Sequence, residues 1–249
     1  MNLWHRTEGS GPSLVLLHGW GMHAGVWEPL MPALRERFAV TRVDLPGHGA
    51  SGPPAAADLV AWAEAVLAVA PERAHWLGWS LGGLVAQQVA QHAPERVERL
   101  FLVASTPCFV QRPDWPCAMA SEVFAQFAQD LARDSAGTIR RFLALQVRGG
   151  EGARATLRTL QSALAGRPAA SREGLEAGLR LLRESDLRGL WPALPPPQVL
   201  LGRRDTLVPV VVADALQRLQ PRTRIEVVAG SGHAPFLSDP AVFLEWVER

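Results

Sequence analysis

The chain of 249 residues contains no lysine: all 25 of its basic residues are arginine, set against 24 acids for a net charge of +1. A balance so close to neutral gives no general reason to expect nucleic acid or a membrane surface as a partner. The only cysteines are Cys108 and Cys117. Two are too few for a disulfide framework, and no Cys-x-x-Cys pair or His/Cys cluster stands at metal-ligand spacing, so both are expected as reduced packing residues and no metal is expected. No apolar run reaches the roughly 18 residues of a membrane span, and the N-terminal Met1-Asn2-Leu3-Trp4-His5-Arg6 has no apolar segment of signal-peptide length. A cytoplasmic protein is the expectation.

What is present is an ordinary globular composition, 48% hydrophobic and 20% charged, at a length that suits one large α/β domain or one with an insertion. Leu14 to Leu17 is an unbroken apolar run of strand length, as in a parallel strand covered on both faces. Phe38 to Val43, Ala74 to Gly78, Leu100 to Ala104, Gln198 to Gly202 and Arg224 to Val228 read as further strands. Val26 to Arg37 reads as a helix interrupted early by Pro29 and Pro32. Leu59, Trp62, Ala63, Val66, Leu67 and Ala70 recur at helical spacing, and Leu84 to His92 continues a helix that Pro94 stops. Strands alternating with helices predict a mostly parallel, doubly wound sheet. From about Phe109 to Leu190 the strand-like runs cease and the pattern is helical. The expected organisation is therefore a core of residues 1–108 and 191–249 with a helical lid of residues 109–190 inserted into it, the return marked by the proline-rich Trp191 to Pro197.

The sharpest local signal is Trp76-Leu77-Gly78-Trp79-Ser80-Leu81-Gly82-Gly83, strand then tight turn then helix, which carries the G-x-S-x-G nucleophile elbow. The glycines let strand and helix approach closely, and Ser80 stands at the apex, at a helix N-terminus whose free N–H groups favour negative charge. A serine needs a base, and the base needs an orienting acid. Asp205 follows the 198–202 strand and His233 follows the 224–228 strand, so both fall at the carboxyl ends of strands, where open parallel sheets bind ligands. Ser80, Asp205 and His233 are the candidate catalytic residues. Asp44, in Asp44-Leu45-Pro46-Gly47-His48-Gly49, is the rival acid; His18 and His48 are rival bases; His5, His23, His75 and His92 read as surface or packing residues. Trp79 suits a core position or a pocket wall equally.

These motifs together resemble the α/β-hydrolase superfamily over essentially the whole chain, through His18-Gly19-Trp20-Gly21, the Asp44 loop, the elbow, the Asp205 loop and the His233 loop. More narrowly, Leu16-Leu17-His18-Gly19-Trp20-Gly21, residues 76–86, Arg141-Phe142-Leu143-Ala144-Leu145-Gln146 and His233-Ala234-Pro235-Phe236 resemble the family of biotin-synthesis carboxylesterases that demethylate pimeloyl-acyl-carrier-protein methyl ester. The resemblance implies an oxyanion hole made by the backbone N–H groups of Trp20 and Leu81. It also implies an acyl site lined by Trp20, Ser80, Leu81, Phe142, Leu143, Ala144, Leu145, Gln146 and His233, with no cofactor.

One charge pattern bears on a partner. Between Ser135 and Arg172 the chain carries Arg140, Arg141, Arg148, Arg154, Arg158, Arg167 and Arg172 against the single acid Glu151. A nearly neutral protein thus concentrates positive charge in its insertion, either as a solvated face or as a face attractive to an anionic partner. The resemblance favours the second: Arg140, Arg141, Arg154 and Arg158 would dock an acyl carrier protein, with Gly137 standing where a further basic residue is expected. The expected protein is a monomer with no nucleic-acid or membrane partner. A general short-chain carboxylesterase, a carbon–carbon bond hydrolase of the same fold, and a non-catalytic ligand-binding protein are the alternatives.

Overall fold

The computed structural model describes residues 2–249. Its centre is a sheet of seven strands: β1 (His5–Glu8), β2 (Ser13–Leu17), β3 (Ala39–Val43), β4 (Ala74–Trp79), β5 (Val97–Val103), β6 (Gln198–Gly202) and β7 (Arg224–Val228). Their spatial order is β1-β3-β2-β4-β5-β6-β7, with every neighbouring pair parallel except β1 against β3. The helices are α1 (Met31–Leu34), α2 (Leu59–Leu67), α3 (Leu81–His92), α4 (Ser121–Arg133), α5 (Ser135–Gln146), α6 (Ala153–Ala165), α7 (Arg172–Glu184), α8 (Val212–Leu219), α9 (Pro235–Ser238) and α10 (Pro240–Glu248).

The unbroken apolar strands are the physical signature of a sheet covered on both faces. Leu14, Leu16, Leu77, Phe101, Val103 and Leu200 enter one hydrophobic cluster, while Val15, Leu17, Trp76, Leu100, Leu102 and Leu201 enter another. The period of two sends alternate residues to opposite faces, and both faces need apolar cover.

Three local features depart from the sequence-based expectation. Strand β1 was not expected, because His-Arg-Thr-Glu has no apolar member; it is an edge strand held by backbone pairing to β3, by a Thr7–Thr41 hydroxyl contact of 2.9 Å, and by the buried Arg42, which pairs with Glu8 and Glu28. An edge strand with charged side chains is also protected against pairing with other chains. The helix expected at 26–37 is instead a 3₁₀ segment, Ala24–Leu30, followed by the single turn α1, consistent with prolines that cannot donate to a helical ladder. Residues 109–120, the first part of the segment expected to be helical, are irregular and tied by the isolated bridges Val110–Met119 and Arg112–Trp115.

Between the adjacent strands β5 and β6 the chain makes the excursion that carries α4 to α7. Asp134 caps α5 by accepting from Gly137 N at 2.8 Å, and Ser171 caps α7 by accepting from Gly174 N at 3.0 Å. The excursion is anchored to the sheet layer at a glycine contact: any side chain at Gly174 would run into the Gly47 backbone, and Ser171 N donates to Gly47 O at 2.8 Å. Beside it the buried Asp44 carboxylate accepts from Arg167, 2.7 Å away, whose guanidinium also lies over the Trp4 ring at 3.7 Å. No helix among the described residues is long and apolar enough to cross a membrane.

Candidate active site

The turn between β4 and α3 is tight enough that a side chain at Gly78 would run into the Gly82 carbonyl, and one at Gly82 into the Leu17 carbonyl. That closeness drives Ser80 to φ 54° and ψ −117°, outside the ordinary regions for a residue with a Cβ. The strained backbone is held by Ser80 N donating to Val103 O at 3.0 Å and by the Ser105 hydroxyl donating to Ser80 O at 2.9 Å.

Asp205, beyond the end of β6, accepts from Leu207 N (2.8 Å) and Val208 N (3.0 Å) through Oδ1, which leaves Oδ2 for the His233 Nδ1 at 2.7 Å. Donation from Nδ1–H to a carboxylate sets the neutral imidazole tautomer and frees Nε2 as a base. Nε2 is buried without a hydrogen-bond partner, and His233 and Ser80 line the same cavity. The backbone N–H groups of Trp20 and Leu81 have no hydrogen-bond partner among the described residues. Nucleophile, base, orienting acid and free donors are the groups acyl transfer needs.

His233 is clamped from two directions. Its carbonyl accepts from the Trp79 indole N–H at 2.8 Å, and its own N–H donates to the carbonyl of Gln146, the last residue of α5, also at 2.8 Å. Trp79 is thus a buried support of the histidine loop and does not line the cavity. Nothing in the sequence marked Gln146 for such a role, since the contact is made by backbone atoms. The next turn is tied to the same loop: Glu151 N donates to Gly230 O at 2.7 Å, and Arg204 N to Ser231 O at 2.9 Å. The Arg204 side chain completes the tie, donating to Gly149 O at 2.8 Å and to Glu151 at 3.0 Å.

The cavity above Ser80 is small, about 20 Å³, and apolar, walled by Trp20, Phe109, Met119, Phe124, Phe127 and Phe142 among others. It holds about one water. The five consecutive residues 142–146 do not all face it: a helix turns about 100° per residue, so Phe142 lines the cavity while Leu143 turns into the core and Ala144 is exposed. Leu145 lines a separate outer groove, and Gln146 acts through its backbone. Leu143, Ala144, Leu145 and Gln146 are thereby corrected as lining residues of this cavity. Trp20 bridges sheet and insertion, its indole N–H donating to Leu175 O on α7 at 2.8 Å and its ring meeting the edge of Phe142 at 4.9 Å.

The rival residues have other partners. Asp44 accepts from Ala24 N (2.7 Å), Ala50 N (3.0 Å) and Arg167, a structural hub. His18 bonds Gly19 O through Nδ1 and accepts from Leu45 N through Nε2, and His48 bonds Pro46 O. Burial, with the nearby His48, pushes His18 well below the usual histidine range, and burial pushes His48 down to about 4, so both are neutral scaffolding at pH 7. His23 is buried and caps the 3₁₀ segment, its Nδ1 accepting from Gly25 N. No group of three or more His, Cys, Asp or Glu side chains among the described residues is arranged to hold a metal ion.

The insertion arginines divide into two sets. Arg141 pairs with Asp130 at 3.3 Å, Arg167 with Asp44, and Arg172 with Glu176 at 2.8 Å. Arg140, Arg148, Arg154 and Arg158 are exposed and make no side-chain hydrogen bond or ion pair among the described residues. Arg154 and Arg158, one turn apart on α6, share a face.

Comparison with known proteins agrees with this architecture. Residues 14–246 match the model of the alpha/beta hydrolase family. The chain is 48% identical over 239 residues to the pimeloyl-[acyl-carrier protein] methyl ester esterase of Methylococcus capsulatus, covering 96% of this chain and 94% of that one. It is 49% identical over 246 residues to the esterase of the same name from Aeromonas hydrophila, covering 97% and 96%. Among solved structures, an esterase from Exiguobacterium antarcticum superposes with a TM-score of 0.88 at 24% identity, covering 99% of this chain and 94% of that one, a likeness of fold. The sheet order, the elbow and these matches together establish that the chain belongs to the alpha/beta hydrolase family.

Proposed function

We propose that this protein is a serine carboxylesterase that hydrolyses pimeloyl-[acyl-carrier protein] methyl ester to methanol and the free carboxylate, a step of biotin synthesis. One observation carries the reading: an Asp205–His233 pair of 2.7 Å shares a cavity with a strained elbow serine, in a chain close to half identical to esterases of that name. Ser80 Oγ attacks the ester carbonyl carbon as His233 Nε2 takes its proton, and Asp205 holds the imidazolium that forms. The tetrahedral oxyanion accepts from Trp20 N and Leu81 N; loss of one such donor costs about 100- to 1,000-fold in rate. The imidazolium returns its proton to the departing methoxide, giving methanol and an acyl-enzyme. His233 then deprotonates a water that attacks the acyl carbon, releasing the carboxylate and restoring Ser80. Hydrolysis consumes only water, so no cofactor takes part, and the reading makes this a cytoplasmic enzyme.

The carrier protein docks on the insertion. Arg140, Arg154 and Arg158 present exposed guanidinium groups without competing partners, which supports contact with an acidic carrier, and Arg141 joins them by exchanging Asp130 for it. A second reading, a general short-chain carboxylesterase, is favoured by the small cavity.

The deciding experiment measures methanol release from the carrier-bound methyl ester and from a small soluble ester. The expected result is turnover of the carrier-bound ester that falls about a millionfold in Ser80→Ala with the fold intact. Added salt raises KM for the carrier-bound ester and leaves the small ester unaffected. Turnover confined to the small ester supports the second reading, and turnover retained in Ser80→Ala removes the serine mechanism altogether.

A further inference from the structure

The cavity above Ser80 and the space outside it pose a problem of size. About 20 Å³ accommodates one water, whereas an acyl chain several methylenes long has to reach Ser80 with its ester end first. On the outer side of the insertion, between α4 and α5, lies an open and mainly apolar groove of about 400 Å³ lined by Val123, Phe127, Leu145 and the stems of Gln126 and Arg141, with Glu122 and Asp130 at its rim. One residue lines both spaces: Phe127.

Phe127 is half-buried on α4 and stands as the last member of an aromatic series leading outward from the oxyanion loop. Trp20 meets the edge of Phe142 at 4.9 Å, and Phe142 meets the edge of Phe127 at 5.7 Å, both near perpendicular. An edge contact of this kind is weak enough to break by a side-chain rotation when an apolar chain takes its place. Phe127 is the one wall residue the two spaces share, which places its ring between them.

We propose that the α4–α5 groove is the entry passage for the acyl chain and that Phe127 is its gate, so that during turnover of a long-chain ester the chain runs from Ser80 past Phe127 and lies along Val123 and Leu145. The inference rests on the esterase reading above and adds the route and the residue that selects for chain length. A short acyl group at Ser80 reaches no farther than Phe127 and leaves the outer groove empty; a long one occupies the groove throughout the reaction. Bulk added in the groove is therefore felt only by the long chain. Arg141 at the groove places a cation beside the point where the chain emerges, continuous with the exposed Arg140 of the same helix.

The test uses two soluble esters, methyl butyrate and methyl decanoate, with methanol release as the readout, so that it does not depend on the carrier protein. Val123→Trp and Leu145→Trp each fill the groove away from Ser80. Each is expected to lower kcat/KM for methyl decanoate by about tenfold or more while leaving methyl butyrate within about twofold. The short ester also reports that both variants are folded and competent. Losses of equal size on the two esters, or no loss on methyl decanoate, overturn the passage. Wild-type enzyme that hydrolyses both soluble esters but not the carrier-bound one refutes the proposed substrate and leaves this result to be judged on its own.

Discussion

The backbone N–H of His233 donates to the carbonyl of Gln146 at 2.8 Å, which makes the end of α5 part of the support of the histidine that faces Asp205. An insertion helix that carries Phe142 over the cavity and Arg140 and Arg141 on its exposed side thus also holds the imidazole loop. The insertion and the His233 loop are mechanically linked through residues 146–151 and 230–233.

Gly232 lies at this junction, where an added Cβ would approach Gln146 O to 2.6 Å against rigid backbone. Gly232→Ala is expected to push the histidine loop away from α5 and lower kcat by about 10- to 100-fold, since a displacement near 1 Å is enough for that loss. The check is kcat and KM on a small ester together with a melting curve. Wild-type kcat in a folded variant would show that the junction does not position His233.

Asp205 offers both oxygens to defined donors, and Asp205→Asn separates charge from geometry. Its carbonyl can keep the Leu207 and Val208 N–H groups, which turns the amide NH₂ toward His233 Nδ1 and imposes the wrong tautomer. The expected fall in kcat is about 10⁴-fold with KM little changed. Steady-state kinetics on a small ester decides it.

Arg167→Ala would strand the Asp44 carboxylate, which is fully buried, with two backbone donors and no cation, and would remove the stack on Trp4. A loss of about 3 kcal/mol is expected, at the low end for a broken buried pair because Arg167 keeps some exposure. Urea unfolding monitored by tryptophan fluorescence measures it, and Arg167→Lys should recover part.

The buried His48 gives stability a pH dependence of definite sign. Burial holds its folded pKa at about 4, below the ordinary value near 6.5, so the unfolded chain binds the proton more readily. This contribution is complete above about pH 6.5 and is lost as the pH falls toward about 4, a change on the order of 3 kcal/mol. His18 adds to it in the same direction, because a protonated ring could no longer accept from Leu45 N. Melting temperatures between pH 7 and pH 4 should fall, and His48→Gln should fall less steeply; parallel slopes would assign the acid sensitivity elsewhere.

The parts of the fold that could be read from residue order are those whose physics is local. Leu14 to Leu17 must be covered on both faces whatever surrounds them, and Gly78-Trp79-Ser80-Leu81-Gly82 forces its turn by sterics alone. β1 leaves no apolar signal because an edge strand owes its conformation to the partner it pairs with, and the helix expected over 26–37 becomes a 3₁₀ segment and a single turn because its prolines cannot donate to a helical ladder. The run Phe142 to Gln146 was legible as a helix, but the direction of each side chain depends on how α5 is rolled against the core.

By itself, then, the sequence determined the alternation of strand and helix, the elbow serine, and the order in which Asp205 and His233 follow it, since each is written in neighbouring residues or in strand ends. Only the tertiary structure decided that Asp44 is a structural hub and Asp205 the partner of His233, that Trp79 holds the histidine loop, and that Phe127 lines both cavity and groove. Trp79 and His233 are 154 positions apart, and Trp20 and Leu175 are 155 apart. Contacts across such separations follow from the packing of whole elements, and packing leaves no periodic trace in the order of residues.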